Sequence, residues 1–149
     1  MINIWMILSA AWFFSGFSAP GPEYAGTLQV EVRNVDAGKG ILRLALYRES
    51  GFLKENGSVA SRMIRVTEGG RLLVEVPSLT YGPYALAAFH DLNENDKLDT
   101  NIFGIPVEPY AFSKNTDIKW RNPRFDEVKF DFTREGQQLS IALQRWQNL

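Results

Sequence analysis

Apolar and polar side chains alternate along most of the chain, and this period of two residues indicates β-strands with one buried face. In residues 26–33, Leu28, Val30 and Val32 share one face, opposite polar side chains. A segment that is apolar on both faces, 84–90, is typical of a central strand covered on both sides. Further alternating segments span 41–48, 61–66, 71–76, 125–132 and 138–146. The pattern predicts about seven strands.

Turn residues separate these segments and suggest how they pair. The connections at 36–40 and 68–70 are short and rich in Gly, so they predict two hairpins, one at each connection. No segment shows a sustained helical period, and the spacing of the turns is that of a sandwich. We therefore expect an all-β fold: a single antiparallel β-sandwich domain over residues 26–146.

The first residues of the chain have the features of an export signal. They carry no charged side chain, and the apolar run over 4–17 is shorter than the ~20 residues that span a bilayer. Gly16 and Ser18 favour cleavage after Ser18. We expect a signal peptide over 1–18 and an exported protein, periplasmic or extracellular, with no stable membrane insertion after cleavage. An uncleaved anchor is the alternative, since this segment lacks Lys and Arg.

Composition and charge exclude several functional classes. Sixteen basic and seventeen acidic residues give a net charge of −1, which provides no field to attract nucleic acid. Because the chain has no cysteine, it has no disulfide and no Cys nucleophile, and a zinc site built from Cys ligands is impossible. The expected partner is an unknown protein or a cell-envelope ligand, and its binding surface must be found from local features.

A long segment after the predicted central strand is dense in oxygen-bearing side chains. Its spacing matches positions one, three, five, seven and nine of a twelve-residue calcium loop, filled by the side chains of Asp91, Asn93, Asn95 and Asp99 and by the carbonyl of Lys97. Position twelve is Ile102, where a bidentate Glu would complete the site, and position six is Asp96, where Gly normally permits the bend. At most a weak calcium site is predicted. A turn closed by Asx hydrogen bonds is the alternative, and both remain open.

His90 is the only histidine and precedes Asp91 at the end of the predicted central strand. This position suits a general base, so a cell-envelope hydrolase centred on His90 and Asp91 is one hypothesis. A Ser-His-Asp arrangement would have to use Ser113, but no sequence context supports it. A histidine that packs its ring and hydrogen-bonds the loop is the simpler interpretation.

The run AFHDLNENDKLDTNIFGIPVEPYAFSKN, residues 88–115, resembles the pattern FHDENGNGKLDTNFLGIPxEGYGFSNN of the DUF2141 family of exported bacterial proteins of unknown function. The resemblance implies an exported single domain, similar to transthyretin-like or immunoglobulin-like sandwiches, without an established activity or cofactor. The chain departs from the pattern at Asp96, Pro109 and Ala111, where the family has Gly. The leading hypothesis is an exported, non-enzymatic sandwich whose ordered, aromatic loop 91–115 is a binding surface, with weakly bound calcium as a candidate stabiliser.

Overall fold

The structure is a computed structural model that describes residues 24–114 and 121–146. Strands dominate this part of the chain, with one helical turn, α1 (Phe125–Val128), and a 3-10 turn (Glu49–Gly51). The strands are β1 (Ala25–Val35), β2 (Ile41–Tyr47), β3 (Ser58–Arg65), β4 (Gly70–Thr80), β5 (Gly82–Asp91), β6 (Tyr110–Phe112), β7 (Phe130–Phe132) and β8 (Gln137–Ala142). The all-β prediction is confirmed. The predicted signal peptide, 1–18, lies outside the described residues.

The strands form two sheets around one core. One sheet has the order β4-β1-β8, and the other has the order β3-β2-β5-β6, with β7 paired to the beginning of β5. Along most strands, alternate side chains are apolar and point into the core, as the sequence predicts. The buried core side chains include Leu28, Val30 and Val32 of β1 and Leu42, Leu44 and Leu46 of β2.

Both predicted hairpins are wrong. β1 pairs with β4 and β8, whereas β2 pairs with β3 and β5, so the connection at 36–40 crosses between the sheets. The connection at 68–70 likewise joins β3 of one sheet to β4 of the other. A short Gly-rich turn reverses the chain whether the next strand pairs with the last one or faces it across the core. Alternation is the same in both cases because the apolar faces still meet.

The prediction of a purely antiparallel sandwich is also wrong in one pairing. β8 runs parallel to β1, from Leu28 opposite Gln137 to Arg33 opposite Ala142. These strands are far apart in sequence, so no tight turn forces them to be antiparallel. Apolar alternation determines which face a strand buries but carries no information about its direction.

The segment 125–132, predicted as one strand, begins as the helical turn α1. Phe125 and Val128 are buried three residues apart against Ala85, a spacing that fits one helical face. Glu127 closes the turn, because its carboxylate accepts the N–H of Arg124, the residue before α1, at 2.7 Å. Because β6 lies inside the predicted loop, the described residues contain eight strands instead of about seven.

The predicted central strand, 84–90, is confirmed as β5. It lies between β2 and β6, and most of its side chains are buried on both faces. Tyr84, Leu86 and Ala88 face the core, and Ala85 is covered by α1. β5 ends at Asp91, where the loop of interest begins. In the described part of the chain, no helix has the length and apolar character needed to cross a membrane.

Candidate functional site

The connection between β5 and β6 folds into two parts, which we call the acidic turn (residues 91–99) and the apolar tip (residues 100–106). Both lie beyond one end of β5. The turn contains all five predicted metal ligands, and the tip contains Ile102. Different hydrogen bonds hold the two parts.

Asp91 anchors the acidic turn to the sheet. Its side chain is fully buried, and its Oδ2 accepts hydrogen bonds from Arg43 Nε at 2.8 Å and from the Asp96 N–H at 3.0 Å. Oδ1 accepts the Asn95 N–H at 3.1 Å. Burial raises the pKa of Asp91, but Arg43 and the two N–H groups together bring that pKa below its ordinary value. The buried carboxylate is therefore held in its ionised form.

The other predicted ligands form a network inside the turn. Asn93 Oδ1 accepts the Asn95 N–H at 3.3 Å, and Asn95 Oδ1 accepts the Lys97 N–H at 3.0 Å, two Asx turns in succession. The Nδ2 groups of both asparagines donate to the carboxylate of Asp99, at 2.7 and 2.9 Å. The structure thus brings the predicted residues together through the hydrogen bonds of the Asx alternative. The calcium site remains a prediction.

No group of three or more His, Cys, Asp or Glu side chains within 24–114 and 121–146 is placed to hold a metal ion. Amide and backbone oxygens supply three of the five predicted ligands of the acidic turn: the side chains of Asn93 and Asn95 and the carbonyl of Lys97.

Two arginines from neighbouring strands hold the turn against the sheet. Arg43 on β2 pairs with Asp96 as well as with Asp91, and Arg65 on β3 donates to both oxygens of Glu94 at 2.8 and 3.1 Å. Glu94 and Asp96 both have a positive φ, 59° and 68°. Asp96 thus makes the bend for which Gly is usual. Neither arginine was predicted from the sequence, because both lie far away in the chain.

Glu108 closes the turn from the other side. It is buried, and its two oxygens accept the N–H groups of Leu92 at 2.7 Å and Asp99 at 3.1 Å. One carboxylate therefore joins the beginning of the acidic turn to its end. No structural role was predicted for Glu108 from the sequence, although the family pattern has Glu at this position.

The apolar tip is a small hairpin closed by Asn101. Its Oδ1 accepts the N–H groups of Phe103 at 2.9 Å and Ile105 at 3.1 Å, while its backbone pairs with Ile105 and Gly104. At the end of this hairpin, 93% of Ile102 and 78% of Phe103 are exposed. The tip thus presents two large apolar side chains to solvent on a hydrogen-bonded frame.

A groove of about 370 Å³ lies beside the tip. Its lining is largely apolar: Leu98, Thr100, Phe103, Gly104, Ile105, Pro106, Tyr110, Phe112, Arg121, Asn122 and Pro123. The rings of Tyr110 and Phe112 contact edge to face, with centroids 6.2 Å apart, and burial raises the pKa of Tyr110. Two aromatic side chains of the loop 91–115, Tyr110 and Phe112, thus pack against each other, whereas Phe103 is exposed. The last residue of the predicted binding loop, Asn115, lies outside the described residues.

Arg121 lines the groove as an ion-paired group. Its guanidinium donates to both oxygens of Glu127, at 2.7 and 2.9 Å. These hydrogen bonds, with the Arg124 N–H, lower the pKa of Glu127 to about 2. The ion pair joins Arg121 to α1.

His90 is fully buried, and its Nε2 lies 2.8 Å from the carbonyl oxygen of Lys39. Nδ1 has no hydrogen-bond partner among the described residues. Adjacent side chains of a strand point to opposite faces, so His90 faces the core and Asp91 the outer side of the sheet. Ser113 Oγ hydrogen-bonds the Leu86 N–H and the Val128 carbonyl. Ser113, His90 and Asp91 therefore do not form a catalytic triad.

The fold and the loop define a small two-sheet β domain that carries a structured acidic turn and an exposed apolar tip. A family model described as "Uncharacterized protein conserved in bacteria (DUF2141)" matches residues 30–140. The chain therefore belongs to the DUF2141 family, and the resemblance identified from residues 88–115 is confirmed. Comparison with curated proteins and with solved structures found no match.

Proposed function

We propose that this protein is an exported, non-enzymatic binding module whose apolar tip and adjoining groove form the interaction surface. The exposure of Ile102 and Phe103 carries the proposal. Burying a large apolar side chain stabilises the buried state by about 1.5–3 kcal/mol. Burial of both side chains against a partner would therefore favour binding. Neighbouring exposed apolar groups of this kind mark interaction sites more often than isolated ones do.

The groove supports the same proposal and indicates the chemistry of the partner. Apolar and aromatic side chains with a few polar groups are the usual lining of a binding site. We infer that the partner is a protein or cell-envelope ligand that offers an apolar group to the groove and an apolar surface to Ile102 and Phe103. The hydrolase alternative receives less support, because His90 and Asp91 lie on opposite faces of the sheet.

The topology favours one of the two sandwich types implied by the family resemblance. Immunoglobulin-type sandwiches have their first two strands in the same sheet. Here β1 and β2 belong to different sheets. We therefore propose the transthyretin-like type for this domain.

Replacing both tip residues tests the proposed function. The double variant Ile102→Ser/Phe103→Ser should co-sediment with washed bacterial cell envelopes at least tenfold more weakly than the wild type, because the contacting apolar area is lost. Its melting temperature should change little, since both side chains point to solvent.

The control for this experiment is Val59→Ser/Leu73→Ser. Val59 on β3 and Leu73 on β4 are exposed apolar residues outside the loop, 52% and 62% accessible. This control should bind envelopes as the wild type does. Equal binding by the tip variant and the control, or no binding by the wild type, would contradict the proposal.

We also propose that calcium stabilises the acidic turn weakly. The charges near the turn support this: five carboxylates (Asp91, Glu94, Asp96, Asp99 and Glu108) face three cationic side chains (Arg43, Arg65 and Lys97). A divalent cation would offset the excess. With a dissociation constant of ~10⁻⁴ to 10⁻³ M, 10 mM calcium should raise the melting temperature by about 3 °C or more.

Asp99→Asn is the best variant for the calcium test. Asp91 is unsuitable because its removal also breaks the contact with Arg43. Asp99→Asn should abolish the calcium-dependent rise in melting temperature. Glu75→Gln, which removes one exposed charge from β4 of the other sheet, away from the acidic turn, should retain it. A wild-type protein whose melting temperature ignores calcium would rule out this part of the proposal.

A further inference from the structure

Three ion pairs hold the acidic turn on the sheet: Arg43–Asp91, Arg43–Asp96 and Arg65–Glu94, and the first and the last differ greatly in burial. Arg43 and Asp91 have side chains only 15% and 0% exposed, whereas those of Arg65 and Glu94 are 66% and 39% exposed. Salt screens exposed charges strongly and buried pairs much less. The two attachments therefore differ in their sensitivity to ionic strength.

The backbone conformation of the acidic turn is unfavourable at two residues. Glu94 and Asp96 both occupy the left-handed region, which is unfavourable for residues other than Gly, Asn and Asp. Glu94 is the less suited of the two, and it is also the one held by the exposed pair with Arg65. Loss of that pair would leave its strained backbone with little to maintain it.

We propose that Arg65 and Glu94 form the outer, salt-sensitive stage of an electrostatic latch on the binding loop, with Arg43 and Asp91 as its inner stage. Opening of the outer stage weakens the hydrogen bonds that Asn93 and Asn95 make to Asp99. Asp99 is the base of the apolar tip, since its carbonyl accepts the Val107 N–H at 2.9 Å. The latch thus regulates how firmly the tip is positioned against the sheet.

This inference rests on the proposed function for its biological meaning, but its test does not require a ligand. Hydrogen exchange of the backbone amides at 95–97 reports opening of the acidic turn. Arg65→Gln should raise their exchange rates at least threefold. Raising NaCl from about 0.1 M to about 1 M shortens the screening length from about 10 Å to about 3 Å, and it should accelerate exchange similarly in the wild type but not in Arg65→Gln.

Arg71→Gln is the matched control. Arg71 is 71% exposed and pairs with Glu31 on the other sheet, so its loss removes a comparable surface ion pair away from the loop. Exchange at 95–97 should stay at the wild-type rate in this control. In all three proteins the amides of Phe103 and Ile105 should keep their rates, because Asn101 holds them independently.

Two results would overturn the latch: exchange at 95–97 that is the same in Arg65→Gln as in Arg71→Gln, or a salt effect that persists undiminished in Arg65→Gln. Neither result depends on envelope binding. Conversely, a tip variant that binds envelopes normally would refute the proposed function and leave the exchange results intact.

Discussion

Asp91→Asn is expected to destabilise the domain by about 3–5 kcal/mol at pH 7, the cost typical of removing one partner from a buried ion pair. The carboxylate of Asp91 is fully buried and meets three donors, from Arg43, Asn95 and Asp96. An amide has almost the same shape but only one acceptor oxygen, so its NH₂ group would face a donor. Arg43, itself only 15% exposed, would lose its buried counter-charge. Urea denaturation of both proteins measures the difference.

The pH dependence identifies the cause of this loss. Because the folded-state pKa of Asp91 lies below its ordinary value of 3.8, its ionised form stabilises the fold above about pH 4. That contribution disappears as the pH falls from about 4 through the lower, folded-state pKa. The difference in unfolding free energy between wild type and Asp91→Asn should therefore shrink in this range. A difference that stays constant down to pH 2 would show that the ion pair is not responsible.

Glu94→Gln provides the comparison at an exposed pair. Its partner Arg65 is two-thirds exposed, and such pairs contribute at most about 1 kcal/mol. The two variants remove the same charge from the same turn. A similar loss of stability in both variants would show that the buried pair of Asp91 stabilises the domain no more than the exposed pair of Glu94.

Side-chain alternation in the sequence predicts where the strands lie and which face each one buries, but not how the strands pair. Alternation identifies β1, β2, β4 and their buried faces because burial acts on each strand separately. Strand pairing depends on the path of the chain across the core, and no local pattern records it. The parallel neighbours β1 and β8 illustrate this, as do the two connections taken for hairpins.

The acidic turn was predictable in part for the same reason. The spacing of Asp91, Asn93, Asn95 and Asp99 is local, and the structure does bring these side chains together. Arg43, the partner of Asp91, lies 48 residues away from it, on a strand where an alternating polar residue is expected to face solvent. The quoted family pattern has Gly at both 94 and 96. In this chain acidic residues replace them, and the ion pairs with Arg43 and Arg65 offset the unfavourable backbone.

The apolar tip shows a different limit of sequence analysis. On the calcium frame Ile102 counts only as a missing twelfth ligand. In the structure it lies at the end of a hairpin and is almost completely exposed. The sequence alone does not distinguish an exposed apolar residue from a core residue. The outward turn of this segment is seen only in the structure, where Asn101 closes the hairpin.

Glu108→Ala should destabilise the domain by about 2–6 kcal/mol, because two N–H groups in the loop lose their acceptor and each such loss costs about 1–3 kcal/mol. Glu108 connects Leu92 to Asp99, so its loss should also separate the two ends of the acidic turn. Glu108→Gln keeps one acceptor oxygen and should fall between the wild type and the alanine variant. Denaturation measures the stabilities, and the amide NMR signals of Leu92 and Asp99 should move most.

Glu135→Ala is the control for a carboxylate that accepts a backbone N–H at the surface. Glu135 is exposed and accepts the Thr27 N–H at 2.8 Å, so water can replace it at a cost below about 1 kcal/mol. If Glu108→Ala costs no more than Glu135→Ala, the buried carboxylate does not hold the loop closed. If it costs more and also weakens envelope binding, the acidic turn and the apolar tip act as one unit, since Glu108 touches neither Ile102 nor Phe103 through any of its hydrogen bonds.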